Sequence, residues 1–144
     1  VVWTQHVQMN IHHKLKFYSE IERVLASHGT FIYYDIFRTE SGEVDYPVPW
    51  ADDPSASFLV TSDQMDDILE RLCFKNLLTT DQTVEGIRFL QNLFDKLKLD
   101  GPPKLGLNVL MGSSTGEKLG NILKGLKEEQ IVLQSGIYVK RAIN

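Results

Sequence analysis

The stretch 1–37 constrains the fold more than any other, because it reads as strand, helix and strand in that order. Val1-Val2-Trp3 is a β-branched and aromatic run that gives way to a polar and aromatic mouth, Thr4-Gln5-His6-Val7-Gln8-Met9. Ile11, Leu15, Tyr18, Ile21 and Leu25 then recur at helical spacing, with Lys14, Lys16, Glu20, Glu22 and Arg23 on the other face. That spacing predicts a helix with one buried stripe. Asn10 is placed to cap its first turn, and Gly29 to end it in a left-handed residue. The run Thr30-Phe31-Ile32-Tyr33-Tyr34-Asp35-Ile36-Phe37 is nearly continuous in aromatic and β-branched side chains, which predicts a strand covered on both faces. Strand, helix and strand make a βαβ unit, and in open sheets of that kind ligands sit outside the carboxyl ends of the strands. Gln5, His6 and Asp35 fall at that place.

At 144 residues the chain has the length of one domain, taken as 1–144, and can bury a core. With 42% hydrophobic and 24% charged residues it has the composition of a soluble globular protein. No run approaches the ~20 apolar residues of a membrane span, so no membrane partner is expected and a cytoplasmic setting is. The single cysteine, Cys73, excludes an internal disulfide framework and a multi-cysteine metal site within the chain. The net charge is −4 with Lys and Arg spread along the chain, which is not the footprint of a nucleic-acid binder.

Beyond the opening unit, Tyr46-Pro47-Val48-Pro49-Trp50-Ala51 has two prolines one residue apart. They predict a stiff, extended loop that presents Tyr46 and Trp50 as a binding wall, or that packs Trp50 over the sheet. Thr61 and Gln64 have capping-box spacing ahead of Met65, Ile68, Leu69 and Leu72 on one stripe. Asp63, Asp66, Asp67 and Glu70 fall on the solvent side of that helix, and Cys73 is expected as a small buried residue. A short strand over 77–80 leads to a helix from Thr83 with Val84, Ile87, Leu90, Phe94 and Leu97 on one face, stopped by Gly101-Pro102-Pro103. A strand over 105–111, the loop Gly112-Ser113-Ser114-Thr115-Gly116-Glu117-Lys118 and a helix through Leu119, Ile122, Leu123 and Leu126 invite comparison with a phosphate cradle. The spacing fails, since Glu117 separates Gly116 from Lys118 and Leu119 follows where a hydroxyl is needed. The stretch 131–142 reads as two strand-like runs around Gly136.

Four runs look familiar: Trp3-Thr4-Gln5-His6-Val7-Gln8-Met9-Asn10-Ile11, Arg23-Val24-Leu25 ahead of Gly29-Thr30-Phe31, Asp35-Ile36-Phe37, and Tyr46-Pro47-Val48-Pro49-Trp50-Ala51. Together they resemble the later part of class I S-adenosylmethionine-dependent methyltransferases. The likeness is to the small-molecule branch that includes the sarcosine and dimethylglycine N-methyltransferases and the quinone-ring C-methyltransferases. The resemblance implies an α/β fold: an incomplete doubly wound, Rossmann-like sheet of later strands only, with an antiparallel edge strand supplied by 131–142. Val1-Val2-Trp3 would be the family's fourth strand and 30–37 its fifth, and 81–130 a helical lid insertion. The family usually has Gly-Phe where Cys73-Phe74 stands here. Its glycine-rich turn and ribose-holding acid have no counterpart in this chain, so a missing N-terminal half of the same protein is expected. An uncovered parallel edge would then favour a homo-oligomer or a strand-swapped dimer.

By the same resemblance, the complete protein would use S-adenosylmethionine to methylate a small-molecule substrate, an amine such as sarcosine or dimethylglycine. Trp3, Gln5 and His6 would contact the cofactor, and His6 could take a proton from the acceptor, with Gln5 orienting it. Asp35, Tyr33, Tyr46 and Trp50 would bind substrate, the aromatics as a cation cage together with Trp3. His6 could equally be a hydrogen-bonded histidine at a strand end. Tyr33 and Tyr34 alternate faces, so one of them at most faces a pocket. His12 and His13, adjacent on a helix, diverge and do not form a metal site with His6. A second reading is a non-catalytic methyltransferase-like interaction module, or a subunit completed by another chain. On either reading the chain alone is expected to be inactive.

Overall fold

The structure, a computed structural model, describes residues 1–101, 106, 109, 111 and 112–142. Phe31, Tyr33 and Phe37 pack into one hydrophobic cluster while Ile36 and Tyr34 pack into another. A strand apolar on both sides must lie inside a sheet with helices on each face. That strand is β2 (Thr30–Arg38), flanked by β1 (Val2–Gln5) and β4 (Ile131–Lys140), with β3 (Phe74–Asp81) outermost beyond β4.

β1 and β2 lie side by side in the same direction, Val2 opposite Phe31 and Gln5 opposite Tyr34, as a βαβ unit requires. β4 runs antiparallel to both β2 and β3, so the sheet is mixed as expected, and β4 itself lies one place in from the edge. It passes through Gly136 as one uninterrupted strand. α1 (Lys14–Val24) and α2 (Ser62–Arg71) cover one face, burying Tyr18, Ile21, Met65 and Leu69 against Phe31 and Phe37. α3 (Thr83–Asp100) and α4 (Thr115–Lys127) stand over the other, where Leu90, Leu119, Ile122 and Leu126 meet Ile36 and Leu133.

Several local expectations are corrected. α1 begins at Lys14, and Asn10 ends a 3-10 turn, Gln8–Asn10, instead of capping the helix. The cause is Lys14, whose ammonium donates to the carbonyls of Gln8 at 2.6 Å, Phe58 at 2.7 Å and Ile11. This draws Lys14 inward and turns Leu15 out, 58% exposed. His28, not Gly29, takes the left-handed conformation after α1, with φ 61°. Gly29 is small because a Cβ there would stand 2.7 Å from the Ala26 carbonyl oxygen.

The capping box is present, with Thr61 Oγ1 accepting from the Gln64 amide and the Gln64 side chain accepting from Thr61 N. Asp66 is not free in solvent but accepts a hydrogen bond from the Tyr138 hydroxyl. Cys73 is exposed, and it occupies the left-handed region at φ 61°, which glycine enters more freely. Val84 is 62% exposed, because Gly86 and Leu90 form the buried edge of α3. Pro102, Pro103 and most of the strand expected over 105–111 lie outside the described residues; Val109 and Met111 are helical. No described helix is long and apolar enough to cross a membrane.

Candidate functional site

Between the sheet and α3–α4, at the carboxyl ends of β1 and β2, lies a cavity of about 810 Å³. Its mouth is Gln5, His6 and Asn10, and its floor is Tyr34, Ile36 and Leu133. Gly86 and Leu90 of α3 and Leu119, Ile122 and Leu126 of α4 close it from above. Gly86 lets α3 come this near, since a Cβ at that position would stand 2.9 Å from Leu133 Cδ2.

His6 is bent into the cavity by a left-handed backbone, φ 52°. Its N–H donates to the Tyr34 carbonyl at 2.9 Å, extending the β1–β2 pairing by one step. The imidazole meets the Tyr34 ring edge-on, centroids 5.2 Å apart. Burial against these walls pushes its pKa below the ordinary histidine value, which favours the uncharged ring that can accept a proton. Tyr34 has its own pKa raised by burial and by the carboxylate of Glu85, which also lines the cavity.

Trp50 reaches the cavity from a loop that closes on itself instead of running extended. Val48 and Ala51 exchange backbone hydrogen bonds of 2.8 and 3.1 Å. Both are buried, leaving Pro49 and Trp50 on the cavity wall. The indole N–H donates to Ser57 Oγ at 2.9 Å. α4 holds the loop at three points: Asn121 Nδ2 donates to the Pro47 carbonyl at 2.9 Å, Lys118 pairs with Asp52 at 2.8 Å, and Lys124 with Asp45 at 2.6 Å. The Lys118 side chain is thus engaged by a carboxylate.

Asp35 lies behind the mouth, not in it. It is 1% exposed, and its Oδ2 makes long contacts of 3.5 Å with the amides of Val7 and Gln8. Burial pushes its pKa up to about 7, against the pull of the Gln8, Val7 and Ile36 amides and of Lys14. Lys14 is in turn pushed down to about 8 by burial. Tyr33 is on the opposite face of the sheet with Phe31 and Phe37, and burial raises its pKa to about 12. Tyr46 packs half-buried against the core under the loop, and Trp3 is 66% exposed on the outer strand; neither lines the cavity.

Thus Gln5, His6 and Trp50 come together, while Trp3, Asp35, Tyr33 and Tyr46 stand outside the cavity. Tyr34 takes the pocket-facing place that alternation allowed to only one of the two tyrosines, and Glu85 and Phe89 join without having been singled out. Gly86 was their one signal, since a glycine inside a helical pattern marks a close approach.

No family model matches the chain, and no curated protein does. Solved structures do. One is described as a candidate sarcosine dimethylglycine methyltransferase from Galdieria sulphuraria, with a TM-score of 0.76 at 14% identity over 96% of this chain and 52% of that one. The fold is that of the later half of a class I S-adenosylmethionine-dependent methyltransferase. Geranyl diphosphate C-methyltransferase from Streptomyces coelicolor A3(2) is similar at a TM-score of 0.66 and 12% identity, over 97% of this chain and 46% of that one. The cyclase SpnF is similar at 0.63 and 16%, over 98% and 50%. The chain spans about half the length of these structures. Among the described residues, no strand runs into a glycine-rich turn that could approach a nucleotide. Gln5 and His6 bring a side-chain amide and an imidazole to the cavity at the strand ends. Among the described residues no group of His, Cys, Asp and Glu could hold a metal ion.

Proposed function

We propose that this chain is the acceptor-side half of an S-adenosylmethionine-dependent methyltransferase acting on a small molecule. The observation that carries the reading is the cavity at the carboxyl ends of the parallel strand pair, with the His6 imidazole at its mouth. When bound, S-adenosylmethionine supplies a methyl group on sulfur that leaves behind a neutral sulfide. Gln5 and His6 would border that end of the cofactor, and Trp3, exposed on the same strand, would extend the contact. The acceptor is an amine whose lone pair takes the methyl group. A ring nitrogen of His6 takes the proton that a secondary amine then sheds. The aromatic faces of Tyr34 and Trp50 stabilise the cation that forms. Apolar walls from α3 and α4, acting as the lid over 81–130, exclude water. Asp35, Tyr33 and Tyr46 support this arrangement from outside the cavity.

A second reading, a subunit or interaction module completed by another chain, draws on the outer edge of β1, which pairs with no described strand. Calorimetry with S-adenosylmethionine separates the two. The complete protein binds it and transfers labelled methyl to an amine in a panel that includes sarcosine and dimethylglycine, whereas the 144-residue chain alone does neither. A complete protein that does not bind the cofactor overturns the first reading.

A further inference from the structure

Three features of the cavity describe the molecule it takes. The first is size. At roughly 30 Å³ per non-hydrogen atom, the share of a water molecule in the liquid, a cavity of about 810 Å³ holds on the order of 25 such atoms. A methylated glycine has about seven and would fill on the order of a quarter of the space. The remaining water would lie against Leu90, Leu119, Ile122 and Leu133, side chains that gain nothing from hydrating a small polar guest.

The second is charge. Among the described residues that line the cavity there is no Lys or Arg, and the one carboxylate is Glu85. Burial disfavours the charged form of His6. A ligand carboxylate or phosphate would therefore meet a negative group and no cation, and burying an unpaired anion is among the costliest events in a protein interior. A cation would meet Glu85 together with the rings of Tyr34 and Trp50.

The third is polarity by position. Gln5, His6, Tyr34 and Glu85 gather at the strand ends, where His6 touches Tyr34 and Glu85 acts on Tyr34. The α4 side chains Leu119, Ile122 and Leu126 are wholly apolar.

From these, and resting on the methyltransferase reading above, we infer that the acceptor is an amphiphilic amine. It carries one basic nitrogen at the Gln5–His6–Glu85 end on a mostly apolar body that lies along α3 and α4, and it bears neither carboxylate nor phosphate.

The test is calorimetry on the complete protein with N,N-dimethyloctylamine, octanol and dimethylglycine, beside a separate titration with S-adenosylmethionine. The octylamine is expected to bind at least about tenfold tighter than dimethylglycine, because its chain buries apolar surface that dimethylglycine lacks. Glu85→Gln, at an exposed position, weakens the octylamine several-fold and leaves octanol unchanged. Leu119→Trp fills the cavity and abolishes octylamine binding. Should that variant fail to fold, Phe89→Ser at the rim, where the native ring is 65% exposed, removes apolar surface and weakens it without adding charge or straining the core. Dimethylglycine binding as tightly as the octylamine, or Glu85→Gln without effect, overturns the inference. If S-adenosylmethionine binds and dimethylglycine is preferred, the substrate class falls and the methyltransferase reading stands. If the octylamine binds and the cofactor does not, the methyltransferase reading falls and the cavity chemistry stands. If neither binds, both fall.

Discussion

Tyr33 lies over Gly136, its partner in the β2–β4 register, so closely that a Cβ at 136 would stand 2.4 Å from Tyr33 Cε1. An aromatic ring covering a glycine on the neighbouring strand packs a gap that no other side chain can share. Strand alternation does the rest: with Tyr33 committed to the α1–α2 side, Tyr34 faces the cavity. Gly136→Ala is expected to destabilise the fold by about 1–3 kcal/mol through overpacking. Urea unfolding checks this, and an unchanged midpoint would remove the Tyr33–Gly136 contact from the account.

Cys73 follows α2 at φ 61° with its side chain exposed. The left-handed region costs an L-residue about 1–2 kcal/mol, whereas glycine enters it freely. Cys73→Gly is expected to raise Tm by a few degrees and to leave ligand binding at the distant cavity unaltered. Cys73→Val, with a branched Cβ in the same conformation, lowers it. Differential scanning calorimetry of the two variants reads both signs.

Asp35 couples stability to pH. Its pKa is about 7 in the folded chain against an ordinary value of 3.8. Between those limits the folded state holds a proton that the unfolded chain has released. Stability is therefore greatest at the acid end of this window and falls as pH rises through it, at on the order of 1 kcal/mol per pH unit. Asp35→Asn removes the titrating group and flattens the slope. Urea midpoints taken from about pH 4 to pH 7 measure it, and parallel slopes for the two proteins would sink the proposal.

For turnover, His6→Ala in the complete protein is expected to lower kcat about 100-fold or more, the range of general-base catalysis. Trp50→Ala raises the apparent substrate constant about 2-fold to 30-fold, as one cation–π contact is worth ~0.5–2 kcal/mol. The protonated imidazole cannot act as a base, so the rate is flat near neutrality. Its acid limb lies below the ordinary histidine value, since burial lowers the His6 pKa. Asp35→Asn leaves that limb in place. A limb that moves with Asp35 would assign the titration to the wrong residue.

The βαβ unit and the Thr61–Gln64 box were legible because periodicity and capping are local. Gln5 and His6 were legible because a strand end marks where ligands collect. The choice between Tyr33 and Tyr34 was not, because the face each takes is decided by Gly136 on a strand far along the chain. Lys14 and Leu15 exchanged places for a similar reason, since the Phe58 carbonyl that helps draw Lys14 inward belongs to another segment. Asp35 pointed to the right neighbourhood, but its partners are backbone amides of Val7 and Gln8, and backbone amides leave no trace in residue type.

The three ties from Asn121, Lys118 and Lys124 fasten the Trp50 loop to α4. Wall and ceiling on that side are thus joined, and a loop that lifts must break all three ties or carry α4 with it. A cross-link between cysteines placed at 52 and 118 replaces one of these ties by a covalent one and should leave the rate of ligand uptake untouched.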